Sequence, residues 1–242
     1  MTDIFLTTWN RPNFTERVIK AINDNTTSLY RLVVIDNASG FETQGLLKRS
    51  HEEGLINELV INKDNMGLEY TRQQATEMAT TPRFVTTDSD CLPHKPWEDG
   101  DWLYCLNKLM DENPDFAAIA CRTQVMIGSG NIFEHADEED IPFVEFTCGG
   151  SLRLMDTGYI RSLGGWDRNQ ELRGNEEHYI CGKIREAGLK CGFATFVPCY
   201  HLFGDGNWGY DKELSPEEHG HRPVHHPALT SGDDKQALKD YE

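Results

Sequence analysis

Asp88-Ser89-Asp90 sets two carboxylates two residues apart, directly after the strand-like run 83–87 with its β-branched Val85, Thr86 and Thr87. Hard oxygen donors in that pattern can share a divalent cation, or one can hold a metal while the other holds a sugar hydroxyl. In open parallel sheets, ligands gather beyond the carboxyl ends of the strands, so the position suits the chemistry. A second acidic pair, Glu176-Glu177, opens a helical pattern with an apolar stripe at Ile180, Ile184 and Ala187. The helix dipole favours ionised carboxylates in a first turn by about 0.3–1 kcal/mol. That serves a proton acceptor and plain helix stability alike. If both residues are helical they point about 100° apart and do not share one role. His201 follows the last apolar run and, taken alone, reads as a structural histidine.

Something must hold these groups. Short apolar strands near residues 4–6, 32–35, 58–62 and 83–87 alternate with helical patterns at 14–22, 44–51 and 68–79. Such repetition implies a largely parallel sheet with helices on both faces. Beyond it, the pattern predicts a helix over 97–112, a strand at 116–122 and an irregular acidic stretch at 128–142. An extended segment at 143–148, helices at 156–163 and 176–187, and a closing strand at 192–197 follow. The domain is expected to end at 203, with 204–242 a polar Gly-, His- and Pro-containing tail or lid.

The net charge of −17 argues against a broad phosphate-gripping face, and so against nucleic acid as a partner. It leaves room for a local basic site or a bound cation. Seven scattered cysteines without a CxxC pair, and no secretory leader, point to reduced thiols in a cytoplasmic compartment, or a host's cytoplasm for a viral chain. No apolar run reaches the roughly 20 residues of a membrane span.

The order of short motifs is more specific than any one of them. Thr7-Thr8-Trp9-Asn10-Arg11-Pro12, Val34-Ile35-Asp36-Asn37-Ala38-Ser39, Asn65-Met66-Gly67 and Arg72-Gln73 precede the Asp-Ser-Asp triplet. Cys148-Gly149-Gly150-Ser151, Leu163-Gly164-Gly165-Trp166-Asp167, Gly174-Asn175-Glu176-Glu177 and Tyr200-His201 follow it. This series resembles the GT-A glycosyltransferases, most of all glycosyltransferase family 2, over about residues 3–203. The resemblance implies an α/β GT-A (nucleotide-diphospho-sugar transferase) fold with a mostly parallel central sheet. It also implies a metal-dependent transferase of hexosyl or N-acetylhexosaminyl type, using Mn²⁺ or Mg²⁺. The donor would be a nucleotide-diphosphate sugar, a UDP-sugar ahead of a GDP-sugar, and the acceptor a glycan or other hydroxyl compound.

By the same resemblance, Thr8, Arg11 and Asp36 match donor-nucleotide contacts, and Arg72 a basic residue facing the diphosphate. Asp88, with Ser89, matches the donor side of the DXD motif. Asp90 and His201 match metal ligands, Gly149 and Gly150 the tight segment beside the sugar, and Glu177 the base of inverting members. The chain departs from the family where Glu177 replaces the usual Asp, and where Tyr179 and Lys183 replace a carboxylate and an arginine. The C-terminal half also resembles the retaining polypeptide N-acetylgalactosaminyltransferases, so a retaining transferase stays open beside the inverting reading. A sugar-nucleotide nucleotidyltransferase would want a glycine-rich loop after the first strand, and 8–12 contains no glycine. A non-catalytic nucleotide-sugar-binding module is the remaining alternative.

Plainer readings stand beside these. Asp36 could cap the next helix, Arg72 could be a solvated surface residue, and Trp166 or Trp208 could stack on sugars or fill the core. The histidines at 219, 221, 225 and 226 lack clear ligand geometry.

Overall fold

In the computed structural model, the residues described are 1–98, 100–123, 143–144, 148–167 and 176–202. The expected tail at 204–242, the acidic stretch at 128–142 and Gly174-Asn175 lie outside them. The chain opens β1 (Thr2–Thr8), α1 (Pro12–Asn25), β2 (Tyr30–Asp36), α2 (Phe41–Glu52), β3 (Glu58–Ile61), α3 (Leu68–Met78) and β4 (Arg83–Asp88). It continues β5 (Cys91–Pro93), α4 (Trp102–Glu112), β6 (Phe116–Thr123), β7 (Phe143–Val144), β8 (Arg153–Asp156), α5 (Thr157–Ser162), α6 (Glu176–Glu186) and β9 (Lys190–His201).

One sheet takes the order β3-β2-β1-β4-β8-β6-β9-β5, with β7 also on β9. The pairings β1–β2, β1–β4, β2–β3 and β6–β9 are parallel; those through β5, β7 and β8 are antiparallel. All seven residues of β1 are buried, as a strand covered on both faces requires. One face packs Val18, Ile22, Leu47, Trp102 and Leu106 from α1, α2 and α4. The other packs Ala75, Ile160, Ile180 and Ile184 from α3, α5 and α6. The expected α/β architecture with two helical layers is therefore present.

Three details differ from the sequence pattern. α4 begins at Trp102 rather than 97, because Asp101 caps it through Tyr104 N and Trp97 instead pairs back onto Gly100. β5 and β8, of three and four residues, are too short to show a period. β9 runs on past 197 to His201, since its pairing with β6 slips between Cys121 and Arg122. Such an irregularity admits Pro198, which has no N–H for a regular ladder.

Asp101 also joins distant parts of the chain. Its wholly buried carboxylate accepts from the amides of Thr27 and Ser28, both at 2.6 Å, and from both their hydroxyls at 3.0 Å. Burial alone would raise its pKa; the amides of Tyr104 and Ser28 and the two hydroxyls overcome this and lower it. A depressed folded-state pKa contributes stability above the unfolded value of about 3.9 and loses it as pH falls through the folded one. Asp101→Asn should therefore cost about 2 kcal/mol in urea unfolding at pH 7, with the deficit shrinking below pH 4. A deficit independent of pH would show that the carboxylate's charge is not what matters.

Candidate active site

Parallel register brings the ends of three strands together: Thr8 lies beside Asp36, and Thr7 beside Asp88. The loops beyond them are tied to each other. Asn10 N donates to Ser39 Oγ at 2.9 Å, and Gly40 N donates to Asn10 Oδ1 at 2.7 Å. Asn37 donates to Asn65 Oδ1 at 2.6 Å and accepts from Met66 N at 3.2 Å, tying the second loop to the third. Thr8 is buried and its hydroxyl shares a 2.6 Å hydrogen bond with Thr15. Asp36 does not cap α2, whose N-cap is Gly40. Its buried carboxylate accepts from Ser39 N at 3.2 and 3.3 Å. Burial raises the Asp36 pKa, with the Ser39 and Gln44 hydrogen bonds opposing.

A first cluster centres on Asp90. Arg11 Nη1 approaches its Oδ2 at 2.5 Å, and His201 Nε2 lies 3.4 Å from its Oδ1. The β5–β9 ladder delivers the histidine by pairing Cys91 with His201, and Leu202 N donates to Asp90 O at 2.7 Å. Burial works against the Asp90 charge, yet His201 and Arg11 together hold its pKa far below the ordinary carboxylate range. The converse holds for His201: burial disfavours its cation, and Asp90 beside it raises the pKa well above the usual value. Donor atoms of Asp90, Cys91 and His201 all lie within 4.8 Å of one another. One carboxylate oxygen from the turn between β4 and β5 and one imidazole nitrogen from the end of β9 fit a divalent cation such as Mn²⁺, which takes the imidazole in its neutral form. The Cys91 thiol is pushed up to about 12, mainly by burial, and so stays protonated.

A second cluster surrounds Gly150. Arg72, wholly buried rather than solvated, donates to Asp88 Oδ1 at 2.5 Å and to Thr87 O at 3.3 Å. Gly150 N donates to Glu177 Oε1 at 3.1 Å. A Cβ on Gly150 would stand 3.0 Å from Asp88 Oδ2, 3.1 Å from Glu177 Oε1 and 3.5 Å from Arg72 Nη2. The two acids, 89 residues apart in sequence, thus converge on one backbone position. Burial raises the pKa of Glu177, Glu176 and Asp88 add to the rise, and Arg153 and Arg72 oppose it. Asp88 is likewise raised, by burial first, against the pull of Arg72. Ser89 is buried between the two aspartates. Gly149 faces away from this cluster, its missing Cβ lying 3.3 Å from the Phe193 ring.

The burial of several participants was not legible beforehand. Glu176 turns inward and is buried, as is Glu69, one turn before Arg72 on α3. Arg153 is wholly buried, with its guanidinium 5.5 Å over the Trp166 ring. Trp166 is therefore a core residue; Trp208 lies outside the described residues. Lys183 donates to Leu163 O at 2.9 Å and Gly165 O at 3.3 Å, so the departures Tyr179 and Lys183 brace the turn before Trp166. Gln73 serves the same turn, accepting from Trp166 N at 2.9 Å.

A family model described as Glycosyl transferase family 2 matches residues 3–185. No curated protein sequence matches the chain. Among solved structures, a mannosyltransferase from Pyrobaculum calidifontis in complex with GDP-Man and Mn²⁺ superimposes with a TM-score of 0.69 at 20% identity, over 86% of this chain and 58% of that one. GalNAc-T7 with UDP, GalNAc and Mn²⁺ gives 0.66 at 15% identity, over 84% and 44%. TarS 1-349 from S. aureus in complex with UDP-GlcNAc gives 0.65 at 15% identity, over 90% and 63%. The chain thus spans less than two thirds of each of these structures. Among the described residues, no helix is long and apolar enough to cross a membrane.

The space at Gly150 yields a direct test. Gly150→Ala should push the Asp88 and Glu177 oxygens apart by a few tenths of an ångström while leaving the fold intact. Misplacement of reacting groups by about 1 Å can cost about a hundredfold. The variant should therefore lose about tenfold or more in turnover, with a thermal midpoint close to wild type. Unaltered turnover would mean that the two carboxylates need not meet there.

Proposed function

The chain belongs to glycosyl transferase family 2, and from that premise we propose that it moves a sugar from a nucleotide diphosphate to an acceptor hydroxyl. The observation that carries this reading is the meeting of Asp88, Glu177 and Arg72 around Gly150, beside the Asp90–His201 pair. Asp90 and His201 would hold a divalent cation, Mn²⁺ or Mg²⁺. When bound there, that cation supplies Lewis-acid relief of the charge that grows on the leaving diphosphate. Arg72 fixes Asp88 through one oxygen and leaves Oδ2 facing Gly150, where a donor hydroxyl can be held. Thr8, Arg11, Asp36, Ser89 and the Gly149-Gly150 segment line the approach of the nucleotide and its sugar.

Glu177 is assigned as the base that takes the acceptor's proton. Its raised pKa brings it nearer the working pH, which is where a general base is most effective. The Gly150 amide orients one oxygen and leaves the other for the hydroxyl. A UDP-sugar is favoured as donor, with hexose or N-acetylhexosamine as the transferred group and a glycan or other hydroxyl compound as acceptor. Support comes from structural neighbours that hold UDP-GlcNAc, UDP with GalNAc, or GDP-Man.

Glu177→Gln keeps shape but cannot accept a proton, so kcat should fall by about 10²–10⁴ with donor affinity unchanged by calorimetry. In the wild type, activity should decline as pH drops through the raised Glu177 pKa, above the ordinary value of about 4.3. An α-linked donor should give a β-linked product by NMR; an α-product would assign the retaining course instead. Full activity in Glu177→Gln would remove that residue from the chemistry.

Asp90→Ala should abolish Mn²⁺-dependent turnover and most Mn²⁺-dependent donor binding. His201→Ala should be milder, because water can occupy a vacated coordination position. Wild-type activity of Asp90→Ala at limiting Mn²⁺ would refute the assigned ligands.

A further inference from the structure

Like Arg72, Arg153 on the central strand β8 is 0% exposed. Its Nη1 donates to Cys148 O at 3.2 Å, and its guanidinium lies 5.5 Å over the Trp166 ring. Among the described residues, neither Nε nor Nη2 has a hydrogen-bond partner, and no carboxylate forms an ion pair with it. A buried guanidinium without a paired anion is unfavourable unless opposite charge stands close by.

Two connections place Glu177 in that position. Cys181 Sγ donates to the same Cys148 carbonyl at 3.8 Å, and Glu177 sits one helical turn before Cys181 on the same face of α6. Glu177 Oε1 in turn accepts from Gly150 N, two residues beyond Cys148. Arg153 and Glu177 are thus both anchored to the segment 148–150, one from the sheet and one from the helix.

The groups that act on Glu177 are Glu176 on its own helix, Asp88 from β4, Arg72 from α3 and Arg153 from β8; the neutral Cys148 thiol is also near. Arg72 is already bound to Asp88. Among the described residues, Arg153 is the cation of this group without a carboxylate partner. We propose that Arg153 is a positioning residue for Glu177: a fixed buried cation that keeps this carboxylate charged and drawn toward the Gly149-Gly150 segment. The inference rests on the assignment of Glu177 as base for its catalytic meaning, but not for its electrostatics.

The test compares wild type, Arg153→Lys and Arg153→Met. With Arg153→Met, the acid limb of kcat/KM should move up by about one pH unit or more, with rates recovering toward wild type at high pH; Arg153→Lys should move it less. In parallel, ¹³C-glutamate NMR of the ligand-free protein, with Glu177 assigned by its loss in Glu177→Gln, should show the same upward movement. An unmoved Glu177 titration in Arg153→Met overturns the inference whether or not the protein turns over. A moved titration in a protein that transfers no sugar overturns the proposed function and leaves the inference standing. Should Arg153→Met not fold, the double variant Arg153→Met/Glu177→Gln should regain a cooperative transition, because the uncompensated carboxylate is gone. Failure of the double variant to regain it would overturn the pairing.

Discussion

Charge crowding at the carboxyl edge of the sheet is the constraint on which the rest of this structure depends. Asp36, Asp90, Glu69 and Glu176 are buried, and the partly buried Asp88 and Glu177 stand among them. Buried carboxylates of one sign cannot all remain ionised without cations set among them. Arg72 and Arg153 from inside, and Arg11 and His201 from the rim, perform that task. The site therefore divides into an Asp90 half, held at low pKa by its cations, and a Glu177 half, pushed upward by burial and by its acidic neighbours. Two carboxyl environments with opposite shifts are what the proposed metal ligation and proton transfer would respectively require.

The sheet topology makes this division possible. The parallel strands β1, β2 and β4 end level with one another, so their loops open on one side. After β4 the pairing changes sense, and antiparallel β8 brings the chain back past Asp88 with Gly150 just ahead of it. The reversal places a tight glycine segment against the end of β4 that carries Asp88 and lets α6 rest its first turn over it. An all-parallel continuation would have carried Gly150 to the opposite edge. On the far side, the irregularity around Pro198 lets β9 run on and present His201 to Asp90 through the short strand β5.

Rigidity at the loops follows from neutral hydrogen bonds rather than from charge. Asn10, Asn37 and Ser39 link three successive strand-end loops. Asp101 performs the equivalent service at the opposite end, joining the α1–β2 connection to α4. In the strand-end loops, Asn10 and Ala38 both take left-handed backbone conformations, at φ 50° and 65°. Such conformations persist when surrounding bonds over-determine them.

Much of this was legible in sequence because it rests on local pattern. The β-branched runs, the helical stripes and the ordered motifs specify an α/β sheet with helices on both faces and make Asp88, Asp90, Glu177 and His201 candidates for the site. Local pattern also errs in local ways: a three-residue strand such as β5 has too little length to show a period, and a proline such as Pro198 looks like a strand end when an irregularity can absorb it. What only the tertiary structure decided is which charges face one another. Arg153 alternates with apolar neighbours like any exposed strand residue, and Glu69 looks like an ordinary first-turn acid; both are buried because distant segments close over them. Gly149 and Gly150 are indistinguishable as letters, yet one is small for the sake of Phe193 and the other for two carboxylates. Residue type and spacing set what chemistry is available, whereas burial and the approach of remote strands set which protonation state each group adopts. Those depend on contacts across the chain, and no local period records them.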